Sequence, residues 1–257
     1  NTDKRSEMLN FIVPLKSPEV SNDWTIASRL CNRTLYSICQ QTSSRFRVVL
    51  VCNETPVDCY QHENLEIIEG DFPVPSEEGG RMRDKYRKII RGANRIKEHM
   101  EDGEFFMVVD ADDLVNKELA RKAKENKESN GWYFEKGYIY PHGGCWVYEK
   151  RGFHKYCGTS SIVKCKKEDI TIYEEDEDRL FPEGHKTIKK EFKKRGRKLS
   201  KLPFVGACYT IETEENYTKK RWSGWNGVER FMKKITSARP IFLNNIRKKF
   251  GMGYEKA

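Results

Sequence analysis

The first half of the chain alternates between short apolar runs and longer segments in which apolar residues recur every three or four positions. Runs rich in β-branched and aromatic residues predict buried strands. These strands are predicted over residues 9–15, 46–52, 65–68 and 105–109. The helical spacing predicts amphipathic helices over 24–41 and 81–100. The resulting β-α-β-β-α-β order predicts an α/β fold with a largely parallel central sheet flanked by helices.

The second half of the chain is less regular. Residues 131–148 are aromatic and β-prone, and Gly143-Gly144 predicts the turn of a hairpin. Two further strands and a short basic helix are predicted over 160–165, 204–211 and 186–195. From residue 222 onward the apolar spacing is again helical until Pro240 breaks it.

Composition adds a charge preference to this picture. The 257 residues carry a net charge of +9, with 37% hydrophobic and 34% charged residues. This balance favours an anionic partner, such as nucleotide phosphates, nucleic acid or a membrane surface. No apolar run reaches the roughly 18 residues that a membrane-spanning helix needs, so none is predicted.

The cysteines indicate a reducing compartment. None of the eight shows CxxC pairing, and Cys31, Cys39 and Cys52 lie inside apolar segments. Such residues behave as small buried hydrophobes, so the chain is predicted to be cytoplasmic and free of disulfides.

The strand predicted over 105–109 ends in three carboxylates, Asp110, Asp112 and Asp113. Asp110 and Asp112 are two residues apart, so an extended backbone would point both to the same side. Two carboxylates on one side suit a hard divalent cation, and Mg²⁺ or Mn²⁺ would keep positions open for phosphate oxygens. Open α/β sheets place their ligands at such strand ends.

A second interpretation of the same acids is structural. Asp113 precedes Leu114-Val115 and Glu118, and an aspartate in that place could cap a following helix.

Four segments together resemble a known family. They are the opening strand 11–15, residues 84–88, Asp110-Ala111-Asp112-Asp113, and Gly184-His185 followed by residues 205–216. In this order they resemble nucleotide-sugar glycosyltransferases of the GT-A fold, of the family-2 type of bacteria and viruses. The resemblance implies a GT-A-like single domain over 1–220 and a C-terminal helical extension over 221–257.

The resemblance also implies a donor site. Residues that would line the nucleotide base or the diphosphate are Pro14, Leu15, Asn53, Glu54, Asp84, Lys85, Lys88, Asp110 and Ala111. A lysine at the head of a helix is a suitable point charge against phosphate. The alternative for Asp84 and Lys88 is an ordinary i,i+4 ion pair.

The resemblance further implies metal ligands and a catalytic base. The metal ligands would come from Asp110, Asp112, Asp113, His185 and Glu212. An inverting transferase needs a base for the acceptor hydroxyl, and candidates are Asp176, Asp178, Glu183 and His185. Related enzymes carry Gly-Asp-His, where this chain has Glu183-Gly184-His185.

The predicted function is a metal-dependent hexosyltransferase of the kind that acts in polysaccharide biosynthesis. It would move a sugar from a nucleotide donor, in the first place a UDP-sugar, to a glycan or lipid-linked acceptor. The transfer is predicted to invert the anomeric centre. The basic segment 186–201 could face a membrane, which would place the protein peripherally at its inner face, or an anionic polysaccharide.

Two other functions compete with this prediction. A nucleotidyltransferase would show a glycine-rich basic signature after the first strand, which residues 14–18 lack. A non-catalytic nucleic-acid-binding module would interleave basic residues with exposed aromatics. The aromatics here lie mainly in apolar strands, so nucleic acid is not the expected partner.

Overall fold

Two β-sheets and the helices packed on them form the computed structural model, which describes residues 8–75, 80–170, 185–213, 215 and 240–253. The strands are β1 (Leu9–Pro14), β2 (Phe46–Cys52), β3 (Leu65–Glu69), β4 (Glu104–Val108), β5 (Leu114–Val115), β6 (Gly131–Tyr133), β7 (Lys136–Pro141), β8 (Trp146–Arg151), β9 (Ser161–Cys165), β10 (Ser200–Lys201), β11 (Ala207–Ile211) and β12 (Pro240–Phe242). The helices are α1 (Trp24–Cys39), α2 (Gly80–Lys97), α3 (Leu119–Lys124), α4 (Ile188–Lys194) and α5 (Asn244–Phe250).

The first sheet has seven strands in the order β10-β6-β9-β4-β1-β2-β3. β1 is parallel to both of its neighbours, so Ile12 stands opposite Val49 on one side and Val108 on the other. β2 and β3 are also parallel, whereas β9 runs antiparallel to β4 and β6. Every residue of β1 is buried, as in other central parallel strands. The predicted α/β fold with a mostly parallel central sheet is therefore confirmed.

Helices cover both faces of this sheet because successive side chains of β1 point in opposite directions. Phe11 and Val13 belong to the core cluster that contains Leu35 of α1. Ile12, between them in sequence, belongs to the cluster that contains Ile89 of α2. The two long helices predicted from apolar spacing are confirmed, each ending a few residues earlier than predicted.

The second sheet has five strands in the order β12-β8-β7-β11-β5. β7 and β8 form the predicted hairpin, in which Gly143 has a φ of 77° and the Gly144 amide donates to the Pro141 carbonyl at 2.9 Å. β5 pairs with β11, with Leu114 opposite Cys208. The chain therefore crosses from the first sheet to the second in the short loop between β4 and β5.

The described part of the predicted C-terminal extension contains a strand and a helix. β12 pairs with β8, and Ile246 and Phe250 of α5 are buried in a cluster with Leu114 and Val147. The Ser37 hydroxyl of α1 also donates to the Phe250 carbonyl at 2.7 Å. This part packs on the second sheet, while the domain boundary between 220 and 221 lies outside the described residues and stays a prediction.

All eight cysteines are free thiols. Burial raises the pKa of Cys39 to about 12, and burial likewise raises the pKa of Cys52 to about 12. Among the helices of the described residues, none is both long and apolar enough to span a membrane.

Gly131 of β6 lies directly against the backbone of β9. Its φ is 119°, and a Cβ at this position would collide with the Ile162 carbonyl oxygen and lie 2.9 Å from the Cα of Val163. Gly196, after α4, also has a positive φ of 71°, but a Cβ there would meet nothing within 4 Å. A substitution at Gly196 therefore disturbs the backbone conformation alone, whereas a substitution at Gly131 also causes a steric overlap.

We expect Gly131→Ala to lower the free energy of unfolding by at least ~3 kcal/mol, because conformational strain and overlap with backbone add together. Gly196→Ala should cost about 1 kcal/mol, since only the conformation is disfavoured. Urea unfolding of both variants provides the comparison. Equal losses in the two variants would contradict the close approach of β6 and β9.

Candidate active site

A cavity of about 330 Å³ opens at the carboxyl ends of β1 and β4. Its volume lies within the range of small-molecule sites, roughly 300–1,000 Å³. Residues from β1, α1, α2, the β4–β5 loop and the loop before β9 line it. They are Pro14, Leu15, Lys16, Val20, Ala27, Leu30, Arg81, Met82, Asp84, Lys85, Lys88, Asp110, Ala111, Asp112, Tyr156, Cys157, Gly158, His185, Tyr209 and Glu215. The position agrees with the rule that open α/β sheets bind ligands at their carboxyl edge.

Asp110 and Lys85 form an ion pair on the wall of the cavity. Each side chain is about a quarter exposed, at 25% for Asp110 and 28% for Lys85. Burial lowers the pKa of Lys85, but the attraction of Asp110 outweighs burial, so the pKa is raised. The Asp110 amide donates to the Thr159 hydroxyl at 2.9 Å, which fixes the backbone from which the carboxylate projects.

Gly158 lies directly against this ion pair. A Cβ at Gly158 would stand 2.8 Å from Asp110 Oδ2 and 3.3 Å from Lys85 Nζ. The loop before β9 can cover the carboxylate this closely only because residue 158 has no side chain.

Asp112 also lines the cavity and is partly buried. Burial, and then the neighbouring charge of Asp110, raise the pKa of Asp112 to about 6. Arg33 of α1 donates to the Asp112 carbonyl at 3.0 Å and to the Thr210 hydroxyl at 2.9 Å. The guanidinium group of Arg33 thereby ties the loop to β11 and places a positive charge near Asp112.

Asp113 does not line the cavity but holds neighbouring segments together. It is fully buried, and its carboxylate accepts hydrogen bonds from the Thr210 amide and the Cys157 thiol, both at 3.1 Å. Burial, and then the neighbouring Asp112, raise the pKa of Asp113 well above its usual range. Because the strand β5 follows directly, and α3 begins only at Leu119, the interpretation of Asp113 as a helix cap is wrong.

Polar side chains on one face of α1 support the same loop. The Thr34 hydroxyl donates to the Asp113 carbonyl at 2.8 Å. The Ser37 hydroxyl accepts from the Val115 amide at 3.0 Å. Together with Arg33 they hold the backbone from Asp112 to Val115 against α1.

Asp84 and Lys88 form the i,i+4 pair that the sequence allows, but this pair is buried. Lys88 Nζ lies 2.8 Å from Asp84 Oδ2 and 5.4 Å from the centre of the Phe72 ring. Burial lowers the pKa of Lys88, although Asp84 opposes this. The other carboxylate oxygen, Asp84 Oδ1, has no hydrogen-bond partner among the described residues. The cavity lining therefore contains a buried acceptor that a ligand could satisfy.

Glu215 also lines the cavity. Its carboxylate accepts from Lys16, with which it forms an ion pair, from the Ser21 hydroxyl at 3.0 Å and from the Asp23 amide at 2.7 Å. Burial raises the pKa of Glu215, but the hydrogen bonds from Lys16 and Asp23 outweigh burial, so the pKa is lowered. This single side chain joins the end of β11 to the loop after β1 and to the start of α1.

His185 lines the cavity with an unsatisfied nitrogen. Its Nε2 atom is buried and has no hydrogen-bond partner among the described residues. Burial lowers the pKa of His185, although the nearby Asp110 opposes this. The imidazole is therefore neutral near pH 7 and can accept a proton.

The structure brings together most of the residues predicted for the site. Those that line the cavity are Pro14, Leu15, Asp84, Lys85, Lys88, Asp110, Ala111, Asp112 and His185. Asn53 lies away from it and donates to the Phe72 carbonyl at 2.7 Å, and Glu54 is exposed. Glu212 has a φ of 62° and lines a second cavity. The base candidates Asp176, Asp178 and Glu183 lie outside the described residues.

Several lining residues were not predicted from the sequence. Lys16 follows the predicted first strand and could have been found there as a cation near a strand end. Glu215 and Tyr156 come from late in the chain, and nothing in their local sequence indicates that they meet the end of β1 or the acidic loop.

Neither a protein-family model nor a curated protein matches the chain. Among solved structures, S. aureus TarS 1–349 is similar at a TM-score of 0.44 and 15% identity, over 79% of this chain and 60% of that one. The chain thus spans less than two thirds of TarS 1–349.

Two further solved structures are similar over most of the chain. The 2-C-methyl-D-erythritol 4-phosphate cytidylyltransferase (IspD) of Francisella tularensis has a TM-score of 0.40 and 7% identity, over 88% of this chain and 99% of that one. A Desulfovibrio desulfuricans G20 protein assigned as a nucleotide-diphospho-sugar transferase has a TM-score of 0.34 and 11% identity, over 91% and 98%. Similarity at this level carries no functional conclusion.

We expect Glu215→Gln to destabilise the protein by about 2–3 kcal/mol near pH 7, because the charge-assisted hydrogen bonds are weakened. The pKa of Glu215 is lowered on folding, so its carboxylate stabilises the protein above the unfolded value of about 4.3. That contribution is lost as pH falls through the folded pKa.

Urea unfolding of wild type and Glu215→Gln at about pH 7 and about pH 3 measures this effect. The difference between the two proteins should shrink at the lower pH. Glu63→Gln, at an exposed position, controls for general loss of charge. A difference that is equally large at both pH values would show that the glutamine acts through packing and not through charge.

Proposed function

We propose that this chain is a metal-dependent glycosyltransferase of the GT-A type that transfers a sugar from a UDP-sugar to a hydroxyl of a glycan or lipid-linked acceptor. One observation carries the proposal: Asp110, Asp112 and Lys85 line the same cavity at the carboxyl end of β4. Carboxylates for a cation and an ammonium group for phosphate are the groups that a metal–diphosphate ligand requires.

Asp110 and Asp112 are the residues that would hold the metal. No three His, Cys, Asp or Glu side chains within the described parts of the chain form a group that could hold an ion by themselves. Two carboxylates nevertheless fit Mg²⁺ or Mn²⁺, since such ions commonly take their remaining ligands from phosphate oxygens and water. When bound, the ion would stabilise negative charge on the leaving diphosphate.

Lys85 would change partners when a diphosphate enters. Its ammonium group is bound to Asp110 in the described structure and is partly exposed to the cavity. A phosphate oxygen offers Lys85 a stronger negative partner. When the Lys85 ammonium group moves to the phosphate, the Asp110 carboxylate becomes available for a cation. The ion pair thus keeps both groups compensated until the donor arrives.

The remaining lining fits a nucleoside. Leu15, Val20 and Leu30 offer apolar surface to a base or ribose. The unsatisfied Asp84 Oδ1 can accept one N–H group, which uracil carries at its imide nitrogen. These features are compatible with UDP as the donor nucleotide, and the titration of GDP below tests the alternative base.

His185 is the described residue best suited to activate the acceptor. We assign to its neutral Nε2 the role of accepting the proton of the acceptor hydroxyl. The acceptor oxygen then forms a bond to the anomeric carbon of the sugar. The bond between that carbon and the diphosphate oxygen breaks, and the nucleoside diphosphate leaves with the electron pair. Attack on the face opposite the leaving group inverts the anomeric centre.

Calorimetric titration of UDP, GDP and CMP with Mn²⁺, or with EDTA, tests the proposal. We expect UDP to bind only with metal, and Asp112→Asn to weaken binding at least about tenfold because a metal ligand is lost. Glu212→Gln, an acid in the second cavity, should leave the affinity within about twofold of wild type.

Failure of every nucleotide to bind with metal present would sink the proposal. Release of pyrophosphate from a nucleoside triphosphate, in place of UDP from a UDP-sugar, would instead establish a nucleotidyltransferase.

We expect Lys85→Gln to weaken UDP binding by about ten- to a hundredfold, the effect of one hydrogen bond to a charged group. Uridine binding should change by less than about twofold, since uridine has no phosphate for the ammonium group to contact. Arg91→Gln, an exposed cation on the same helix, is the matched control. Equal weakening of uridine and UDP would place Lys85 against the nucleoside, contrary to the proposed role.

A further inference from the structure

A positively charged surface extends from the mouth of the cavity along α4. Of the sixteen residues 186–201, nine are lysine or arginine and one, Glu191, is acidic. Together with Lys150 and Lys155, these cations are called the basic ridge below. The apolar residues of α4, Ile188 and Phe192, are buried, so the helix is attached by one face and presents the other to solvent.

The basic ridge is continuous with the cavity. His185 lines the cavity and precedes Lys186, and its ring is hydrogen-bonded to the backbone of Lys155. The ammonium group of Lys189 lies 4.4 Å from the centre of the Tyr133 ring, which joins α4 to β6. The same polymer could therefore lie on α4 and enter the cavity.

Most of this charge is not neutralised by the rest of the described structure. Glu191 pairs with Lys194 at 2.8 Å, and Arg197 pairs with Asp169 at 2.8 Å. The exposed side chains of Lys186, Lys190, Lys193 and Lys198 make no ion pair with any described residue. A surface of like charges that repel one another gains stability when a polyanion binds.

Tyr156 stands where the basic ridge meets the cavity. Its side chain is 53% exposed although it lines the cavity, and Lys150 Nζ lies 4.5 Å from the ring centre. An exposed aromatic ring at the mouth of a site offers a flat surface on which a sugar ring can stack. The cation beside it would meet a charged group on that sugar.

We infer that the acceptor is an anionic glycan, which stacks a sugar on Tyr156 and lays its charged groups along the basic ridge. This inference rests on the proposed glycosyltransferase function and names the acceptor class for the same site. The charges must recur along the polymer, because the lysines recur along the helix.

Two other polyanions fit the described surface less well. A helix that lies in a membrane directs apolar residues outward, whereas Ile188 and Phe192 are buried in the protein. Single-stranded nucleic acids bind along a series of stacked aromatic rings. Beside the described part of the basic ridge, Tyr156 offers a single large exposed aromatic ring and not a series of them.

The test is fluorescence anisotropy with labelled polygalacturonate as the anionic glycan and labelled dextran as the neutral one. The full chain should bind polygalacturonate, more weakly as salt increases, and dextran at least about tenfold more weakly. Lys190→Gln with Lys193→Gln should weaken polygalacturonate binding about five- to thirtyfold. Lys248→Gln with Lys249→Gln, which removes two exposed lysines of α5, is the matched control and should change it less than about twofold.

Tyr156 provides a second, charge-independent readout. Tyr156→Phe retains the ring and should bind polygalacturonate within about twofold of wild type, whereas Tyr156→Ala should bind it at least about fivefold more weakly. Equal losses in both variants, or in both lysine pairs, would overturn the inference.

The outcomes also separate this inference from the proposed function. If UDP binds with metal but polygalacturonate does not, the acceptor class is wrong and the transferase proposal stands. If no nucleotide binds in the presence of metal, the proposed transferase function is wrong, and the acceptor assignment that rests on it falls with it. Two further probes are a mixed-sequence single-stranded oligonucleotide and vesicles with about 20% anionic lipid. If either binds more tightly than polygalacturonate, and the Lys190→Gln with Lys193→Gln variant loses that binding, the partner is that polyanion and not an anionic glycan.

Discussion

The buried carboxylate of Asp113 fixes the point at which the chain crosses from the first sheet to the second. Its oxygens accept hydrogen bonds from the Thr210 amide of β11 and the Cys157 thiol of the loop before β9. Leaving either buried donor unsatisfied costs about 1–3 kcal/mol, so the three segments are held in one arrangement. Asp110 and Asp112 owe their positions to this arrangement, because both lie within three residues of Asp113.

The same arrangement creates an electrostatic problem that cations from other elements offset. Three carboxylates lie within four residues, and each raises the energy of the others when ionised. Lys85 of α2 compensates Asp110, and Arg33 of α1 lies near Asp112. Burial, and then the charge of Asp110, still raise the pKa of Asp112 to about 6, so the nearby cations do not fully offset these two effects. A further cation close to Asp110 and Asp112 would lower the free energy of this loop, which is the physical basis for proposing a metal here.

Local patterns predicted the elements that hold the site, and local motifs predicted part of the site itself. The continuous apolar run of β1 and the helical period of α1 and α2 depend on which faces are buried, and both are recorded in neighbouring residues. Asp110 and Asp112 were predicted because they follow a buried strand at the ligand edge, whereas Lys85 was implied by the resemblance to the glycosyltransferase family. Asn53 and Glu54 stand after a strand too, but the Asn53 amide turns to the Phe72 carbonyl. Which way a loop turns after its strand depends on tertiary contacts that no local pattern contains.

Glu215 shows most clearly what a sequence pattern cannot contain. It pairs with Lys16, which lies 199 positions earlier in the sequence. Its other partners, at residues 21–23, precede α1, whose first turn is already capped by the Asp23 side chain. The glutamate ties the segment after β11 to the segment after β1 at the lining of the cavity. Two ion pairs therefore border the same cavity, and each joins segments that are distant in sequence. Under the proposed function, a diphosphate that reached this cavity would meet Lys16 and Lys85, each already paired with a carboxylate. Binding would then be an exchange of anionic partners, and neither partly buried charge would be left uncompensated before the exchange.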